Sequence, residues 1–257
     1  MHPIAFHLGP LTVHSYGVMI ALAFLAGLWT ATRRARRENI PGEKIADIVL
    51  WLMIGSIIGA RTVYVTTYWR DEFANQPISE IFMIQHGGLV YYGGFIGGAI
   101  AGFIHMRWKK MPFWKTADIL APSIALGNVF GRMGCLLNGC CYGRPCSLPW
   151  AIRFPLDHPT HGVRVHPTEI YDALDNFILY LLLAWLFRHK KFDGQVLATF
   201  LIGYAITRTI MEYFRGDYPP DHYHYGLTPG ELVSIPIFIA GLLLAAVLSR
   251  RAEAKRG

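Results

Sequence analysis

The chain has 257 residues, of which 53% are hydrophobic and only 16% are charged. A soluble domain carries about a quarter charged residues, so this composition argues against a soluble globular protein. The formal net charge is +7 and the mean hydropathy is +0.31, which together predict a polytopic membrane protein. The start, MHPIAFHLGP, has no basic region and no small-residue cleavage site follows it, so the first apolar run is interpreted as a retained span.

Seven segments are long and apolar enough to form transmembrane helices, each of which needs about 20 mostly apolar residues. They use most of the chain, so we expect one all-α polytopic membrane domain over residues 1–257, with a loop region at about 137–166. The predicted spans are residues 11–31, 45–66, 89–106, 116–136, 169–187, 195–214 and 231–249.

Lysine and arginine are distributed unevenly around these spans. Most of the 24 basic residues follow the first, third, fifth and seventh spans. The positive-inside rule therefore predicts an outer N-terminus and a cytoplasmic C-terminus. Because this topology accounts for the positive net charge, no nucleic-acid partner is expected.

Polar residues are concentrated in the half of each span that lies on the predicted outer side. A charge inside a bilayer is unfavourable and generally faces a cavity or another charge. We therefore expect one polar cavity that opens toward the outer leaflet. Its candidate residues are Tyr16, Arg61, Tyr64, Tyr91, Tyr92, Arg132, Asn138, Glu169, Tyr171, Tyr204, Arg208, Glu212 and Glu231.

The segment GRMGCLLNGCCYGRPC, residues 131–146, places Arg132 at the outer end of the fourth span. A guanidinium group offers a planar fork of donors that suits a phospholipid phosphate. The alternative is an arginine that only extends to the membrane surface from a helix end.

The segment YAITRTIMEYFRGD, residues 204–217, places Tyr204, Arg208 and Glu212 on one helix face because they recur every four residues. Arg208 and Glu212 would form an ion pair inside the sixth span, either for structure or for function. With Arg132, Arg208 would bring two guanidinium groups to one phosphate.

Four cysteines, Cys135, Cys140, Cys141 and Cys146, follow one another closely at the end of the fourth span. On an oxidising outer side, one or two disulfides among them are plausible. A metal site is the alternative, but the pattern CxxxxCCxxxxC lacks the usual CxxC pairs. We therefore predict neither a metal site nor a cofactor.

The stretch HGGLVYYGGFIGGAIAG, residues 86–102, opens the third span with many glycines. Small residues let two helices approach closely. A thinned helix would also leave room for a substrate beside Tyr92, and the two interpretations are compatible.

Together these segments resemble the prolipoprotein diacylglyceryl transferase family over nearly the whole chain. The resemblance implies an enzyme of the bacterial cytoplasmic (inner) membrane that transfers the diacylglyceryl group of phosphatidylglycerol to the lipobox cysteine of a prolipoprotein signal peptide. A thioether forms and glycerol-1-phosphate leaves, with the active site toward the extracytoplasmic side. The matching segments are HSYGVMIAL (14–22), GARTVYV (59–65), GGLVYYGGFIGG (87–98), GRMGCLLNGCCYGR (131–144), HPTEIYDAL (166–174), RTIMEYFRGD (208–217) and LTPGELVSIP (227–236).

The resemblance also implies roles for single residues. Arg132 matches the arginine that contacts phosphatidylglycerol, and Arg208 matches a second essential arginine with Glu212 as its carboxylate. The catalytic set it implies is Arg208, Arg132, Glu212, Tyr92 and Tyr16. The lipid-binding set it implies is Arg132, Asn138, Gly143, Tyr204 and Arg61.

Three departures from the family pattern bear on the chemistry. Tyr92 stands where many members have a histidine, and His86 lies six residues earlier. A phenol with a pKa of about 10 is a poor base but a good hydrogen-bond donor, so we expect a mechanism centred on the arginines. Cys135 and Cys140 replace an asparagine and a glutamate, and no cysteine is expected to act as nucleophile because the thiol comes from the substrate.

Proteins of other classes fit the sequence less well. A transporter would carry polar residues through the whole membrane depth, whereas here they crowd the outer half. An intramembrane protease would need a Ser–His pair, an Asp pair or an HExxH motif within its spans, and we find none of these. A structural scaffold would not explain Arg132, Arg208 and Glu212.

Overall fold

The computed structural model describes residues 1–9, 11–74, 76–83, 87–218 and 226–254. These residues are mostly helical, and their α-helices are 18 to 26 residues long. The helices are α1 (Ser15–Arg37), α2 (Gly42–Thr67), α3 (Tyr91–Trp108), α4 (Phe113–Asn138), α5 (Thr168–His189), α6 (Gln195–Phe214) and α7 (Pro229–Glu253). The shorter elements are strands β1 (Ile4–Leu8), β2 (Leu11–His14), β3 (Ile152–Arg153) and β4 (Arg164–Val165), a π-helical turn (Trp69–Phe73) and a 3₁₀ helix (Ile78–Phe82).

Each of these helices overlaps one predicted span, but the predicted start of the first span is wrong. Residues 11–14 form β2, which pairs antiparallel with β1, and α1 begins only at Ser15. The β-branched residues Thr12 and Val13 favour an extended backbone, and Gly9 adopts a φ of +60° between the strands. Helix α1 thus begins four residues later than the apolar run predicts.

Five of the helices, α1, α2, α4, α5 and α7, are long and apolar enough to cross a membrane. In the most apolar 18-residue window of α7, only 17% of the residues are buried within the protein. Side chains such as Leu243 and Val247 are exposed, and an apolar surface of this extent is favourable against lipid rather than water. The chain is thus a mostly helical, multi-pass membrane protein, while the count of seven spans stays a prediction.

The backbone forms two compact units. The first unit comprises Met1–Ala31 and Ala117–Gly257, and the second unit is Thr32–Thr116. In the first unit α6 packs against both α5 and α7, and in the second unit α2 packs against α3. A single domain over residues 1–257 stays a prediction.

A buried carboxylate fixes the start of α6 within the first unit. Asp118 of α4 accepts hydrogen bonds from the backbone N–H groups of Gly194, at 2.8 Å, and Leu197, at 3.0 Å. The Lys190 ammonium lies 3.2 Å from the same carboxylate. Gly194 has a φ of +93°, a conformation that glycine adopts without strain. A negative charge at a helix N-terminus is stabilising, so α4 sets the position from which α6 carries Arg208.

The glycines of the opening stretch bring two helix backbones into contact within the second unit. A Cβ atom on Gly59 of α2 would lie 2.8 Å from the Cα atom of Gly97 of α3, and the reverse distance is also 2.8 Å. A Cβ atom on Gly55 would lie 2.6 Å from the Gly97 carbonyl oxygen. Since real Cβ atoms do not approach backbone this closely, these positions need glycine for packing.

We expect Gly97→Ala to lower the midpoint of thermal unfolding, because the added methyl group must push α2 and α3 apart. Overpacking of this kind costs about 1–3 kcal/mol. Gly127→Ala in α4 is the matched control, since a Cβ atom there meets nothing closer than the Ala23 methyl group at 4.0 Å. Fluorescence-monitored melting of both variants in the same detergent would test this, and equal midpoints would contradict the packing role.

Candidate active site

Arg132 of α4 forms an ion pair with Asp172 of α5. The Arg132 Nε atom lies 2.8 Å from Asp172 Oδ2, and the Asp172 side chain is only 8% exposed. Asp172 Oδ1 accepts a hydrogen bond of 2.8 Å from the Asn176 side chain, whose own oxygen accepts one of 3.1 Å from Asn128. Because Asp172 engages Nε, terminal N–H groups of Arg132 are left as donors suited to an oxyanion.

The ion pair predicted within α6 is present. The Arg208 Nη2 atom contacts Glu212 Oε1 and also donates a hydrogen bond of 3.2 Å to the Tyr218 hydroxyl group. The Tyr218 hydroxyl group donates in turn to Glu212 Oε1 at 3.2 Å. Arg208, Glu212 and Tyr218 thus form a closed triangle at the C-terminal end of α6.

Two buried polar atoms of this triangle have no hydrogen-bond partner among the described residues. They are Arg208 Nη1 and Glu212 Oε2. A buried donor left without an acceptor costs about 1–3 kcal/mol, so Nη1 is suited to an incoming acceptor. The triangle is also tightly enclosed, since a Cβ atom on Gly230 of α7 would lie 2.5 Å from the Glu212 Cδ atom.

A third arginine, Arg215, lies directly after α6 and contacts Tyr218. Arg215 forms a bidentate ion pair with Asp217, with Nε–Oδ1 and Nη2–Oδ2 distances of 2.9 and 2.6 Å. Its guanidinium carbon lies 4.6 Å from the centre of the Tyr218 ring. Burial raises the pKa of the Tyr218 hydroxyl group, so Tyr218 stays a neutral donor at physiological pH.

The loop that follows α4 is fastened to the end of α6 by backbone hydrogen bonds. Gly143 N–H donates to the His166 carbonyl group at 3.1 Å, and Arg144 N–H donates to the Phe214 carbonyl group at 2.9 Å. The Arg144 side chain donates to the Arg215 carbonyl group at 2.9 Å. A Cβ atom on Gly143 would lie 2.6 Å from the His166 oxygen, so the predicted importance of Gly143 has a packing explanation.

All four cysteines are free thiols. The sulfur atoms of Cys135, Cys140 and Cys141 lie within 4.8 Å of one another, which makes this trio the candidate metal site of the described residues. Interactions with the Cys135 and Cys140 thiols, together with the charges of Arg215 and Arg132, lower the pKa of the Cys141 thiol. The fourth cysteine, Cys146, stands outside this thiol cluster.

The other predicted site residues of the first unit lie near these groups. Tyr16 of α1 packs against α4, where a Cβ atom on Gly134 would lie 2.9 Å from its ring. Asn138 is the last residue of α4, and Tyr204 lies one turn before Arg208 on α6. The first unit therefore contains most of the residues that the sequence assigned to the site.

Arg61 and Tyr92 belong to the second unit. Tyr92 is the second residue of α3 and is 46% exposed. The Arg61 guanidinium donates to five backbone carbonyl groups over distances of 2.6–3.4 Å and so holds the segments on both sides of residues 84–86 against α2. The acceptors are Glu80, Ile81, Met83, Gly87 and Gly88. Contact between Arg61 and a lipid stays a prediction, and it would require Arg61 to release one of these carbonyl groups.

His86, which sequence analysis sets against Tyr92, lies outside the described residues, as does the side chain of Tyr91. The predicted order of importance, Tyr92 above His86, is therefore untested.

Sequence reasoning missed three partners of the arginines. Asp172 carried a signal, because it is an acidic residue within an apolar span. Tyr218 and Asp217 lie in an irregular segment after α6, where no periodicity relates them to Arg208 or Arg215.

The sequence profile described as prolipoprotein diacylglyceryl transferase matches residues 3–247. The chain belongs to this family. Relatives named phosphatidylglycerol–prolipoprotein diacylglyceryl transferase match it along most of their length. The relative from Finegoldia magna is 38% identical, over 95% of this chain and 94% of its own. Those from Synechococcus elongatus and Bordetella avium are 38% and 34% identical, over 84% and 98% of this chain and 77% and 96% of their own.

Membership of the prolipoprotein diacylglyceryl transferase family confirms the resemblance seen in the sequence motifs. The protein is therefore a transferase of lipoprotein biosynthesis, which moves a diacylglyceryl group in lipoprotein maturation. The roles of single residues are not settled by membership and rest on the geometry described above.

We expect Asp172→Asn to slow transfer by roughly ten- to hundredfold, because a charge-assisted hydrogen bond that aims Arg132 contributes about 1.5–3 kcal/mol. Asp175→Asn, which removes a carboxylate from the same helix outside the ion pair, should change the rate little. Initial rates in mixed micelles would measure both variants. Equal losses would mean that Asp172 contributes only to helix packing.

Proposed function

We propose that Arg132 and Arg208 bind the phosphate group of phosphatidylglycerol and stabilise it as glycerol-1-phosphate departs. The observation that carries this proposal is the buried Arg208 Nη1 atom, which has no hydrogen-bond partner among the described residues. The two arginines sit on different helices of one unit, and each has a carboxylate partner that leaves part of its donor fork for a ligand.

Charge growth on the phosphate gives these arginines a catalytic role beyond binding. A phosphodiester carries one negative charge, and the departing phosphomonoester gains a second as its ester bond breaks. An interaction that strengthens as the reaction proceeds lowers the barrier, whereas one of constant strength only tightens binding. Arg208, anchored by Glu212 and Tyr218, is placed to respond to this growing charge without rearranging.

The transfer step is a substitution at carbon. The thiolate of the lipobox cysteine attacks the terminal carbon of the diacylglyceryl group, a carbon–sulfur bond forms, and the carbon–oxygen bond electrons leave with the phosphate. The thiol proton is released as the thiolate forms. A thiol with a pKa of about 8.5 is a few per cent ionised at neutral pH, so modest assistance suffices. No histidine base is required.

The remaining site residues orient the reactants in this proposal. Tyr16 and Tyr92 donate hydrogen bonds from their phenol groups to substrate oxygens. Asn138 and Tyr204 contact the lipid headgroup, and Gly143 keeps the loop close to α6. Arg61 acts on the lipid from the second unit or through the carbonyl groups that it holds.

We further propose that seven helices cross the bacterial inner membrane, with the N-terminus and the arginine site on the extracytoplasmic side. The shortest helix, α3, has 18 residues, which at 1.5 Å per residue nearly matches a hydrocarbon core of about 30 Å. The glycines of α3 lower its mean hydropathy, but they do not shorten the helix. The basic residues Arg34, Arg36 and Arg37 end α1, and Arg250 and Arg251 end α7, which supports a cytoplasmic position for both ends.

The activity test is mass spectrometry of a lipobox peptide incubated with the protein and phosphatidylglycerol, together with separate lipid-binding measurements. We expect Arg208→Ala to abolish transfer while some lipid binding remains. Arg132→Lys should weaken lipid binding severely, because lysine keeps the charge but loses the planar fork. Glu212→Gln should lower the rate too, within the roughly 10²–10³ range typical of a lost oxyanion donor.

Arg153→Lys is the control for these variants, since Arg153 lies exposed on β3. Near-wild-type turnover of Arg208→Ala would remove Arg208 from the mechanism and leave its ion pair as a structural one.

The topology predicts which side of the membrane each cysteine faces. A variant that keeps Cys146 as its single cysteine should react in intact spheroplasts with a membrane-impermeant thiol reagent. A matched variant with all native cysteines replaced and Ser249→Cys at the end of α7 should react only after lysis. The opposite pattern would invert the proposed orientation.

A further inference from the structure

The backbone conformation at the end of α4 explains why three thiols lie close together there. Gly139 has a φ of +79°, and its N–H donates to the Leu136 carbonyl group at 3.3 Å. The Cys140 N–H donates to the Cys135 carbonyl group at 3.1 Å. This pair of hydrogen bonds is the Schellman motif, which ends a helix and brings the side chains of residues i and i+5 into contact. Here those side chains are Cys135 and Cys140.

Cys141 completes the cluster through an unusual backbone conformation. Its φ is +71°, in the left-handed region that a non-glycine residue adopts at a cost of about 1–3 kcal/mol. The Thr168 hydroxyl group holds this conformation by donating a hydrogen bond of 2.7 Å to the Cys141 carbonyl group. This backbone conformation places the Cys141 sulfur atom near the sulfur atoms of the other two cysteines.

We propose that Cys135, Cys140 and Cys141 bind one Zn²⁺ ion as thiolates, with Glu169 as the fourth ligand. A tetrahedral zinc site with metal–sulfur bonds of about 2.3 Å requires sulfur–sulfur distances of roughly 3.8 Å. The sulfur atoms of Cys140 and Cys141 are 3.8 Å apart, and all three lie within 4.8 Å of one another. Closure of the three sulfur atoms around a metal thus needs movements of at most about 1 Å, while the Glu169 carboxylate, which lies outside this 4.8 Å group, has to turn toward it.

Glu169 supplies an independent reason to expect a cation. It is 1% exposed, and neither of its carboxylate oxygens has a hydrogen-bond partner among the described residues. Glu169 follows Thr168, whose hydroxyl group donates a hydrogen bond to the Cys141 carbonyl group. The Glu169 carboxylate is near enough to Cys141 for their charges to interact. A buried, unpartnered carboxylate whose charge acts on Cys141 favours Zn²⁺ over Cu⁺, because carboxylate is a harder ligand than Cu⁺ prefers.

The surrounding charges suit such a complex. Zn²⁺ with three thiolates and a carboxylate is negatively charged overall, and the guanidinium groups of Arg132 and Arg215 both act on Cys141. The sequence pattern disfavoured a metal site because it lacks CxxC pairs. In the fold, however, the helix end brings the two cysteines of CxxxxC into contact, so a CxxC spacing is not needed for the thiols to meet. The ion would lock the loop of Asn138 and Gly143 against α5, without taking part in transfer.

Metal content of the full-length protein tests this site directly. After purification under reducing conditions and washing with a weak chelator, wild-type protein should retain about one Zn²⁺ per chain by inductively coupled plasma mass spectrometry. Cys135→Ser and Cys141→Ser should lose it, and Glu169→Gln should weaken zinc affinity at least about tenfold. Cys146→Ser, from the same loop, is the control and should keep the metal.

Cobalt titration of reduced, metal-free wild-type protein avoids any dependence on variants that fold poorly. Stoichiometric Co²⁺ should produce thiolate charge-transfer and tetrahedral visible bands that Zn²⁺ then removes. Absence of these bands would overturn the proposal, as would equal zinc retention by Cys135→Ser and Cys146→Ser. A disulfide between Cys135 and either neighbour, in protein whose reduced form binds no Co²⁺, would overturn it as well. None of these readouts depends on lipid transfer, so the metal site and the proposed arginine roles fail separately.

Discussion

The ion pair between Arg132 and Asp172 places a full positive charge within a helix that is otherwise mostly apolar. Removing one member of such a pair leaves a buried charge without compensation, which costs about 3–5 kcal/mol. The pair therefore fixes the rotation of α4 against α5, and it determines which face of each helix can meet lipid. The Asn128–Asn176 hydrogen bond one turn away extends the same constraint along both helices.

The requirement that a buried charge has a compensating partner also organises α6 and its neighbours. Arg208 finds its carboxylate four residues away on its own helix, and Tyr218 closes the contact from the segment that follows. Gly230 lets the start of α7 approach the Glu212 side chain, so the carboxylate is enclosed by protein. In this environment an ion pair is strong and rigid, and the proposed role of Arg208 requires this rigidity, because its guanidinium group would meet growing charge without reorganisation.

The position of the loop after α4 depends on the residues around both arginine ion pairs. Its backbone is bonded to the His166 and Phe214 carbonyl groups, and one of its side chains reaches the Arg215 carbonyl group. These bonds hold Asn138 and the three clustered thiols beside the arginines rather than in solvent. A loop of this length without such bonds would sample many conformations, because each ordered residue loses about 1–2 kcal/mol of conformational entropy.

The glycines of the second unit determine how closely its two long helices pack. Gly59 and Gly97 let α2 and α3 touch through their backbones, which brings the exposed Tyr92 to the end of a closely packed pair. Arg61, an arginine within a predicted span, meets carbonyl groups instead of a carboxylate. A buried guanidinium group can thus be satisfied by a carboxylate or by backbone carbonyl groups. Only pairing with a carboxylate leaves donors for a ligand.

The sequence by itself determined the helical membrane class, the approximate extent of each helix, the family and the Arg208–Glu212 pair. These follow from local properties: apolar length, four-residue spacing and ordered motifs. It misplaced the start of α1, since an apolar run does not distinguish a helix from a hairpin. Only the tertiary structure decided that Arg132 pairs with Asp172, that Arg61 is satisfied by carbonyl groups, and that three cysteines meet. Those contacts join residues far apart in the chain or depend on single backbone angles such as that of Cys141, and neither is encoded in a periodic pattern.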